Sequence, residues 1–368
     1  MDKVSKLGFG MMRLPMNNGE IDLEKTQEMV DAYMAAGGNY FDTSLVYQGG
    51  KSERAIYETV VKNYPRDQYY IATKLPAWIN AKTADEAKAM FDMSLDNLKC
   101  GYFDFYLLHN LGGTRTQLFE DWGIWEYLKE KKEQGLIRHL GFSIHDTADA
   151  LEEVLIQHPE TEFVQLQINY ADWENPGVAS RRNWEICKAH GKPVIIMEPV
   201  KGGSLANYPA PAADILKALN PSASLSSWAI RFATNLEGVL TVLSGMSTLQ
   251  QVQDNLHTMQ APPLTESETS AIFKAAKALS EMPRIPCTGC DYCVKGCPMD
   301  IPIPDIFAAY NTKTVYNNTA GARTSYNFAL KQHAHPDNCI ACGKCESACP
   351  QKISIINQLK IVKIEMEK

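Results

Sequence analysis

Eight apolar segments of strand length alternate with amphipathic segments of helix length between residues 7 and 260. A strand followed by a helix, repeated along a chain, predicts a parallel sheet with right-handed crossovers. Eight such units favour closure into an α/β (β/α)8 TIM barrel over the competing open, doubly wound sheet. The predicted strands cover residues 7–9, 40–42, 69–74, 103–108, 137–142, 163–168, 193–197 and 239–243.

Helix signals lie between these strands. Asp22 is placed to cap a helix that ends at Gly37 and Gly38, which follows the usual preference for Asp at the start and Gly at the end. Further helices are predicted over residues 52–63 and 122–135.

Cysteine is unevenly distributed, because eight of the ten residues lie between positions 287 and 349. They form two runs of the spacing Cys-x2-Cys-x2-Cys-x3-Cys-Pro, which is that of bacterial two-cluster ferredoxins. In that arrangement three thiolates hold one [4Fe-4S] cluster and the fourth holds the other. Structural zinc is disfavoured because it takes two separated cysteine pairs. The sequence predicts one cluster on Cys287, Cys290, Cys293 and Cys349, and a second on Cys339, Cys342, Cys345 and Cys297.

These patterns divide the chain into a barrel over residues 1–282 and a small, helix-rich ferredoxin-like iron–sulfur domain over residues 283–368. The net charge of −7 argues against nucleic acid as a partner. No apolar run approaches the roughly 18 residues that cross a bilayer, so we expect no membrane partner. The N-terminus has no signal-peptide pattern, and dense cysteines in a reducing compartment indicate metal ligands. We therefore expect a cytoplasmic protein.

Polar residues stand at the predicted carboxyl ends of neighbouring strands, where barrel enzymes carry their active sites. Asp42, Lys74 and His109 end the second, third and fourth strands, and Tyr47 follows in a loop. Carbonyl reduction needs a proton donor beside the oxygen that gains charge. Tyr47 is expected to be that acid, Lys74 to lower its pKa, Asp42 to hold Lys74, and His109 to orient the substrate oxygen. Each residue alone has an ordinary structural interpretation, but the four together favour a catalytic site.

The motifs around these residues resemble those of the aldo-keto reductases over residues 4–260. They are Asp-Thr-x3-Tyr-x2-Gly-x-Ser-Glu at 42–53, Thr-Lys at 73–74 and Leu-Leu-His at 107–109. The resemblance implies that Tyr47 is the general acid, that the substrate is a small-molecule carbonyl or alcohol, and that NAD(P)H is the cofactor. The cofactor contacts implied by the resemblance are Gly10, Met11, Ser143, Gln167, Glu198, Gly202, Gly203, Ser244 and Asn255.

The sequence also departs from the family pattern. The hairpin that usually precedes the first strand is missing, and His145 stands where the family often has asparagine. Residues 242–247 and Gln251 provide no Lys or Arg for an adenosine 2′-phosphate, so the choice between NADP and NAD is open. A reductase barrel with a two-cluster tail resembles the iron–sulfur branch of the family.

The two halves leave the path of the electrons open. Nicotinamide transfers two electrons as hydride, whereas each cluster accepts one, so direct exchange needs a mediator such as a flavin. The first hypothesis is a nicotinamide-dependent carbonyl reductase whose clusters are structural or exchange electrons with an external ferredoxin. The second is a ferredoxin-coupled oxidoreductase with a flavin in the barrel. The third is a non-catalytic redox sensor or electron carrier. The identity of the substrate and the oligomeric state are also left open.

Overall fold

The computed structural model describes residues 3–79, 81–331 and 333–368. In this part of the chain, eight parallel strands close into a barrel in the order β1-β10-β9-β8-β7-β6-β5-β4. The remaining pair, β2 and β3, forms an antiparallel hairpin after β1. The strands are β1 (Leu7–Gly10), β2 (Met16–Asn17), β3 (Glu20–Ile21), β4 (Tyr40–Asp42), β5 (Tyr70–Leu75), β6 (Phe103–Leu111), β7 (Ile137–Ile144), β8 (Phe163–Gln167), β9 (Val194–Met197) and β10 (Val239–Gly245).

The predicted (β/α)8 barrel is thus confirmed, and the open doubly wound sheet is excluded. Closure occurs at β1, which pairs with β10 on one side and with β4 on the other. The barrel interior is filled by side chains, because one buried cluster draws its members from six strands. Its members are Tyr40, Ala72, Phe105, Leu107, Phe163, Ile195 and Leu243.

Helices follow the barrel strands with the punctuation expected from the sequence. Asp22 caps the first helix by accepting a hydrogen bond from the Lys25 N–H over 3.1 Å. The α-helices are α1 (Leu23–Ala35), α2 (Ser52–Ile56), α3 (Ala84–Leu98), α4 (Thr114–Asp121), α5 (Ile124–Glu133), α6 (Ala148–Gln157), α7 (Ser180–Ala189), α8 (Ala212–Lys217), α9 (Leu225–Thr234), α10 (Leu249–Thr258), α11 (Glu266–Ser280), α12 (Tyr292–Lys295), α13 (Ile303–Tyr316), α14 (Thr319–Ala329), α15 (Lys344–Ala348) and α16 (Ile355–Glu367).

Two predicted helices differ from the structure. The helix expected over residues 122–135 is α5, which is shorter and covers Ile124–Glu133. The helix before it, α4, was not predicted, and Gly123, with a left-handed φ of 60°, separates the two. The helix expected over residues 52–63 is α-helical only through Ile56 and continues as a π-helical turn over Tyr57–Val61.

Contacts group the chain into two compact units. The first consists of Met1–Pro199 and Ala229–Leu264 and contains all the barrel strands. The second consists of Val200–Trp228 and Thr265–Lys368 and contains the eight clustered cysteines. The segment that follows β9 therefore packs with the cysteine-rich part of the chain.

The second unit is helix-rich, as predicted. Its hydrophobic core is formed mainly by α13, α14 and α16, with Phe307, Tyr326 and Val362 among its most buried members. None of the helices within the described residues is long and apolar enough to span a bilayer.

Candidate active site

Strand register brings the predicted catalytic residues to one end of the barrel. Gly10 on β1 is opposite Asp42 on β4, and Asp42 is opposite Ala72 on β5. Two residues further along β5, Lys74 is opposite Leu107 on β6. His109 lies two residues beyond Leu107, although β6 continues to Leu111, so His109 does not end its strand as predicted. All of these positions are at the carboxyl ends of parallel strands, where barrels carry their sites.

Lys74 is the central charged group of this site, and its side chain is only 1% exposed. Its ammonium donates hydrogen bonds to Asp42 Oδ1 over 2.6 Å and to the Thr43 carbonyl over 2.7 Å. It also lies 5.0 Å from the centroid of the Tyr47 ring. Burial acts to lower the pKa of Lys74, but Asp42 and Tyr47 outweigh it and the pKa is raised. The side chain therefore remains an ammonium at neutral pH.

Tyr47 begins the turn that follows β4, in which Gln48 and Gly49 have φ values of 49° and 68°. Burial raises the pKa of Tyr47, while the positive charge of Lys74 acts in the opposite direction. The pKa of Tyr47 is raised overall, because burial outweighs the lowering that was expected from Lys74. The phenol consequently keeps its proton at neutral pH, which is the state that a general acid needs.

His109 is held beside Tyr47 as a neutral imidazole. Burial lowers its pKa well below the ordinary value, and the positive charge of Lys74 adds to the effect. Its Nδ1 atom is 3.1 Å from Ser44 Oγ, and its ring centroid is 5.8 Å from that of Tyr47. The Trp78 indole N–H donates to the His109 carbonyl over 2.8 Å. A neutral imidazole in this position can form a hydrogen bond with a substrate oxygen.

The Ser-Glu pair of the 42–53 motif has a supporting role that the sequence did not indicate. Ser52 Oγ donates to the Met11 carbonyl over 2.8 Å and lies 2.7 Å from Thr43 Oγ1. Glu53 is fully buried and accepts hydrogen bonds from Thr73 Oγ1 over 2.7 Å and from the Asn97 amide over 3.0 Å. These bonds hold the side chains of Thr43, which directly follows Asp42, and Thr73, which directly precedes Lys74.

Two predicted cofactor contacts stand on β7 and β8. Ser143 is buried, and its Oγ accepts a hydrogen bond from the Asn110 N–H over 2.8 Å. The Gln167 side-chain amide is 3.3 Å from Asp172 Oδ2. Each of these polar groups therefore has a protein partner that orients it.

A second set of predicted contacts surrounds the last strand. Ser244 Oγ accepts a hydrogen bond from the Asn255 amide over 2.8 Å, and both side chains are buried. Gly10 pairs with Gly245, and a Cβ on Gly10 would lie 3.4 Å from the Ser244 carbonyl. The Met11 side chain is fully buried, so its backbone is the part available to a ligand.

The structure also brings to the last strand a cation, Arg13, that the sequence did not indicate. Arg13 follows β1, and its Cδ lies 3.2 Å from where a Cβ on Gly245 would be. Its guanidinium is 3.6 Å from the carboxylate of Glu198, another predicted contact, and both side chains are partly exposed. The pairing of β1 with β10 is the signal that places Arg13 here. The predicted contacts Gly202 and Gly203 belong to the second unit.

The eight clustered cysteines line two separate small cavities within the second unit. One cavity is lined by Cys287, Cys290, Cys293 and Cys349, and the other by Cys297, Cys339, Cys342 and Cys345. Within the described residues, no group of three or more His, Cys, Asp or Glu side chains is arranged to hold a metal ion directly. The division of the cysteines matches the crossed ligand sets, and each cavity offers the four thiols that a [4Fe-4S] cluster takes.

Comparison with known proteins identifies both parts of the chain. The model of the aldo/keto reductase family matches residues 6–277. The chain belongs to the aldo/keto reductase family. In this aldo/keto reductase, residues 286–354 match the model of a 4Fe-4S dicluster domain, so an iron–sulfur domain follows the reductase barrel.

Relatives of this aldo/keto reductase cover the barrel. The Bacillus subtilis oxidoreductase YqkF is 22% identical over 304 residues, which are 74% of this chain and 93% of YqkF. The structure of the aldo-keto reductase AKR11C1 from Bacillus halodurans has 28% identity and a TM-score of 0.61, covering 75% of this chain and 93% of its own. A Klebsiella pneumoniae aldo-keto reductase in complex with NADPH has 21% identity and a TM-score of 0.58, covering 74% and 90%. The protein is therefore an oxidoreductase with the aldo/keto reductase fold.

Proposed function

We propose that this protein reduces the carbonyl of a small molecule with NAD(P)H, or oxidises the corresponding alcohol, with Tyr47 as the proton donor. The observation that carries the proposal is the buried ammonium of Lys74. It is held between Asp42 Oδ1 at 2.6 Å and the Thr43 carbonyl at 2.7 Å, and it lies beside the ring of Tyr47. A permanent charge in that position stabilises the phenolate that remains after Tyr47 has given up its proton.

When bound, the nicotinamide supplies the hydride for reduction or accepts it in the reverse direction. The substrate oxygen is placed between the Tyr47 hydroxyl and the neutral imidazole of His109. Tyr47 donates its proton to that oxygen as negative charge develops, and His109 orients it by a hydrogen bond. Lys74 stabilises the resulting phenolate, and Asp42 keeps Lys74 charged and in place. Alcohol oxidation reverses the proton transfer.

We propose that the dinucleotide contacts Gly10, Met11, Ser143, Gln167, Glu198, Gly202, Gly203, Ser244 and Asn255. Support comes from the oriented hydroxyls of Ser143 and Ser244. The NADPH of the Klebsiella reductase, together with Arg13 beside the last strand, favours NADPH. The lack of a cation in residues 242–247 favours NADH. Parallel titrations with the two dinucleotides decide between them.

We further propose that the iron–sulfur domain holds two [4Fe-4S] clusters on the crossed ligand sets. Cys290 and Cys342, one in each cavity, are exposed to solvent, which favours electron exchange with an external ferredoxin or similar carrier. This is the second candidate function, and it requires a two-electron mediator such as a flavin in the barrel. We place the functional boundary between the barrel and this domain at residues 282 and 283, and the protein in the reducing cytoplasm.

The decisive experiment is Tyr47→Phe, assayed anaerobically with a panel of aldehydes and ketones. The variant lacks the transferable proton, so we expect kcat to fall by about 10²- to 10⁴-fold while dinucleotide binding persists. Tyr64→Phe is the matched control because the Tyr64 hydroxyl donates a hydrogen bond to the exposed Asp31 on α1. An unchanged carbonyl turnover in Tyr47→Phe would remove Tyr47 from the mechanism.

An anaerobic titration with NADH and then NADPH, followed by EPR, tests the second candidate. Dithionite reduction is the positive control for the clusters. Cluster reduction by nicotinamide would establish an internal electron path and the need for a mediator. Reduction by dithionite alone would favour the carbonyl reductase without internal electron transfer.

A further inference from the structure

The loop that follows β9 has an unusual backbone. Lys201, Gly202 and Gly203 have φ values of 50°, 60° and 89°, so three consecutive residues are left-handed. A 3-10 turn over Ser204–Ala206 follows directly. The left-handed conformation is unfavourable at a residue with a side chain, such as Lys201, and surrounding contacts must maintain it. The loop lies in the second compact unit, with the iron–sulfur domain.

Asn318 supplies such contacts from within the same unit. Its side-chain amide donates hydrogen bonds to the Gly202 carbonyl over 3.3 Å and to Ser204 Oγ over 3.0 Å. Its Oδ1 atom simultaneously accepts a hydrogen bond from the Gly321 N–H over 2.9 Å and caps α14. A Cβ on Gly321 would lie 2.5 Å from Asn318 Nδ2, so glycine is needed there for the amide to fit. One side chain therefore joins the loop to the start of a helix.

The helix that precedes Asn318 connects this loop with the cysteine cavities. Ile303, the first residue of α13, lines both cavities, and Tyr316 is the last residue of that helix. The Lys201 ammonium lies 5.8 Å from the centroid of the Tyr316 ring. A helix of 14 residues is about 21 Å long, so α13 extends from the cavities to the loop as one rigid element.

We propose that Asn318 is a positioning residue for dinucleotide binding. By holding the Gly202 carbonyl and the Ser204 hydroxyl, it keeps the 201–204 loop in the conformation that receives the pyrophosphate. This inference rests on the proposed function, in which Gly202 and Gly203 contact the dinucleotide.

Two substitutions of Asn318 remove its hydrogen bonds to the 201–204 loop and keep its role as the cap of α14. Asn318→Asp keeps an acceptor for the Gly321 N–H but loses both donors to the loop. Asn318→Ser also provides a favourable cap and introduces no charge that would repel a pyrophosphate. The full-length protein with its clusters is titrated anaerobically with NADH and NADPH, and binding is followed by nicotinamide fluorescence. We expect Kd to rise by roughly tenfold in both variants, because two hydrogen bonds to the loop are lost.

Steady-state kinetics provide a second readout. We expect the KM for the dinucleotide to rise with Kd, while kcat at saturating cofactor stays close to that of the wild type. Asn311→Asp is the matched control, because Asn311 lies on α13 and bonds to the backbone of Ile285 instead of the loop. Iron content and the cluster absorption spectrum are measured for every variant.

The possible results are distinct. Raised Kd in both Asn318 variants, with normal iron content and an unaffected Asn311→Asp, supports the proposal. Unchanged Kd in both variants overturns it, and so does a loss of iron that accompanies the loss of binding, since Asn318 would then serve folding. If the wild type itself binds neither dinucleotide, the proposed function fails first and this inference fails with it.

Discussion

Replacing Asp42 by asparagine tests the buried ion pair on which the candidate site depends. The carboxylate of Asp42 and the ammonium of Lys74 are 2.6 Å apart, and their side chains are 4% and 1% exposed. Removing one partner of such a pair leaves a buried charge uncompensated, which costs about 3–5 kcal/mol. Lys74 keeps its bond to the Thr43 carbonyl in the variant. We therefore expect the free energy of unfolding to fall by about 3 kcal/mol, the lower end of that range.

The effect of Asp42→Asn should depend on pH in a defined direction. In the wild type the pKa of Lys74 is raised on folding. The charged Lys74 therefore makes its full contribution to the free energy of unfolding at any pH below about 10.4, the pKa of lysine in the unfolded chain. That contribution is lost only as pH rises through the higher pKa of Lys74 in the folded protein. In the variant, burial without a carboxylate partner lowers the pKa of Lys74 in the folded protein. The buried ammonium therefore destabilises the variant fully at low pH, and this destabilisation decreases as pH rises towards about 10.4. The difference in stability between the two proteins should narrow from neutral to alkaline pH.

Anaerobic urea unfolding, followed by tryptophan fluorescence at about pH 7 and about pH 9, measures this difference. Asp149→Asn is the control, because Asp149 pairs with Arg182 over 2.9 Å with both side chains largely exposed. An exposed ion pair contributes little to the free energy of unfolding, so Asp149→Asn should unfold like the wild type. The reasoning is refuted if Asp42→Asn is no less stable than Asp149→Asn at neutral pH, or if its deficit is the same at both pH values.

Two further predictions concern proton transfer and the clusters. The kcat/KM for carbonyl reduction should be constant through neutral pH and fall only above about 10. The reason is that the pKa of Tyr47 is raised and that of His109 is well below its usual value; a pH–rate profile with a titration near neutrality would contradict it. Cys349→Ser should lower the iron content by about half, because one of two clusters loses a ligand. Cys100→Ser, in the barrel, is the control, and a full iron complement in Cys349→Ser would count against Cys349 as a cluster ligand.

The sequence was sufficient for features that depend on short-range patterns. Apolar runs at the spacing of β/α units predicted all eight barrel strands, because parallel strands covered by helices are apolar on both faces. The structure brings Asp42, Lys74 and His109 to one end of the barrel, as expected from a fold that places the ends of neighbouring strands together, and their catalytic role stays a prediction. The division of the cysteines followed from their spacing.

Features that depend on three-dimensional proximity could not be predicted in this way. Arg13 lies beside the last strand only because β1 pairs with β10, more than two hundred residues away in sequence. The upward pKa of Tyr47 reflects how deeply its surroundings bury it, which a Lys–Tyr motif does not reveal. The helix predicted over residues 122–135 is present as α5, but the sequence did not indicate α4, from which Gly123 separates it.

The assignment of Val200–Trp228 to the second compact unit has a consequence for biosynthesis. A ribosome releases these residues before β10, the strand that closes the barrel, yet most of their packing partners lie after Leu264. During translation the barrel strands can therefore be complete before α11, on which α8 of this segment packs, has left the ribosome. Because α11 ends at Ser280, ahead of the cysteine-rich tail, a chain cut between α11 and Cys287 keeps this partner and loses the contact of Ser204–Ala206 with α13.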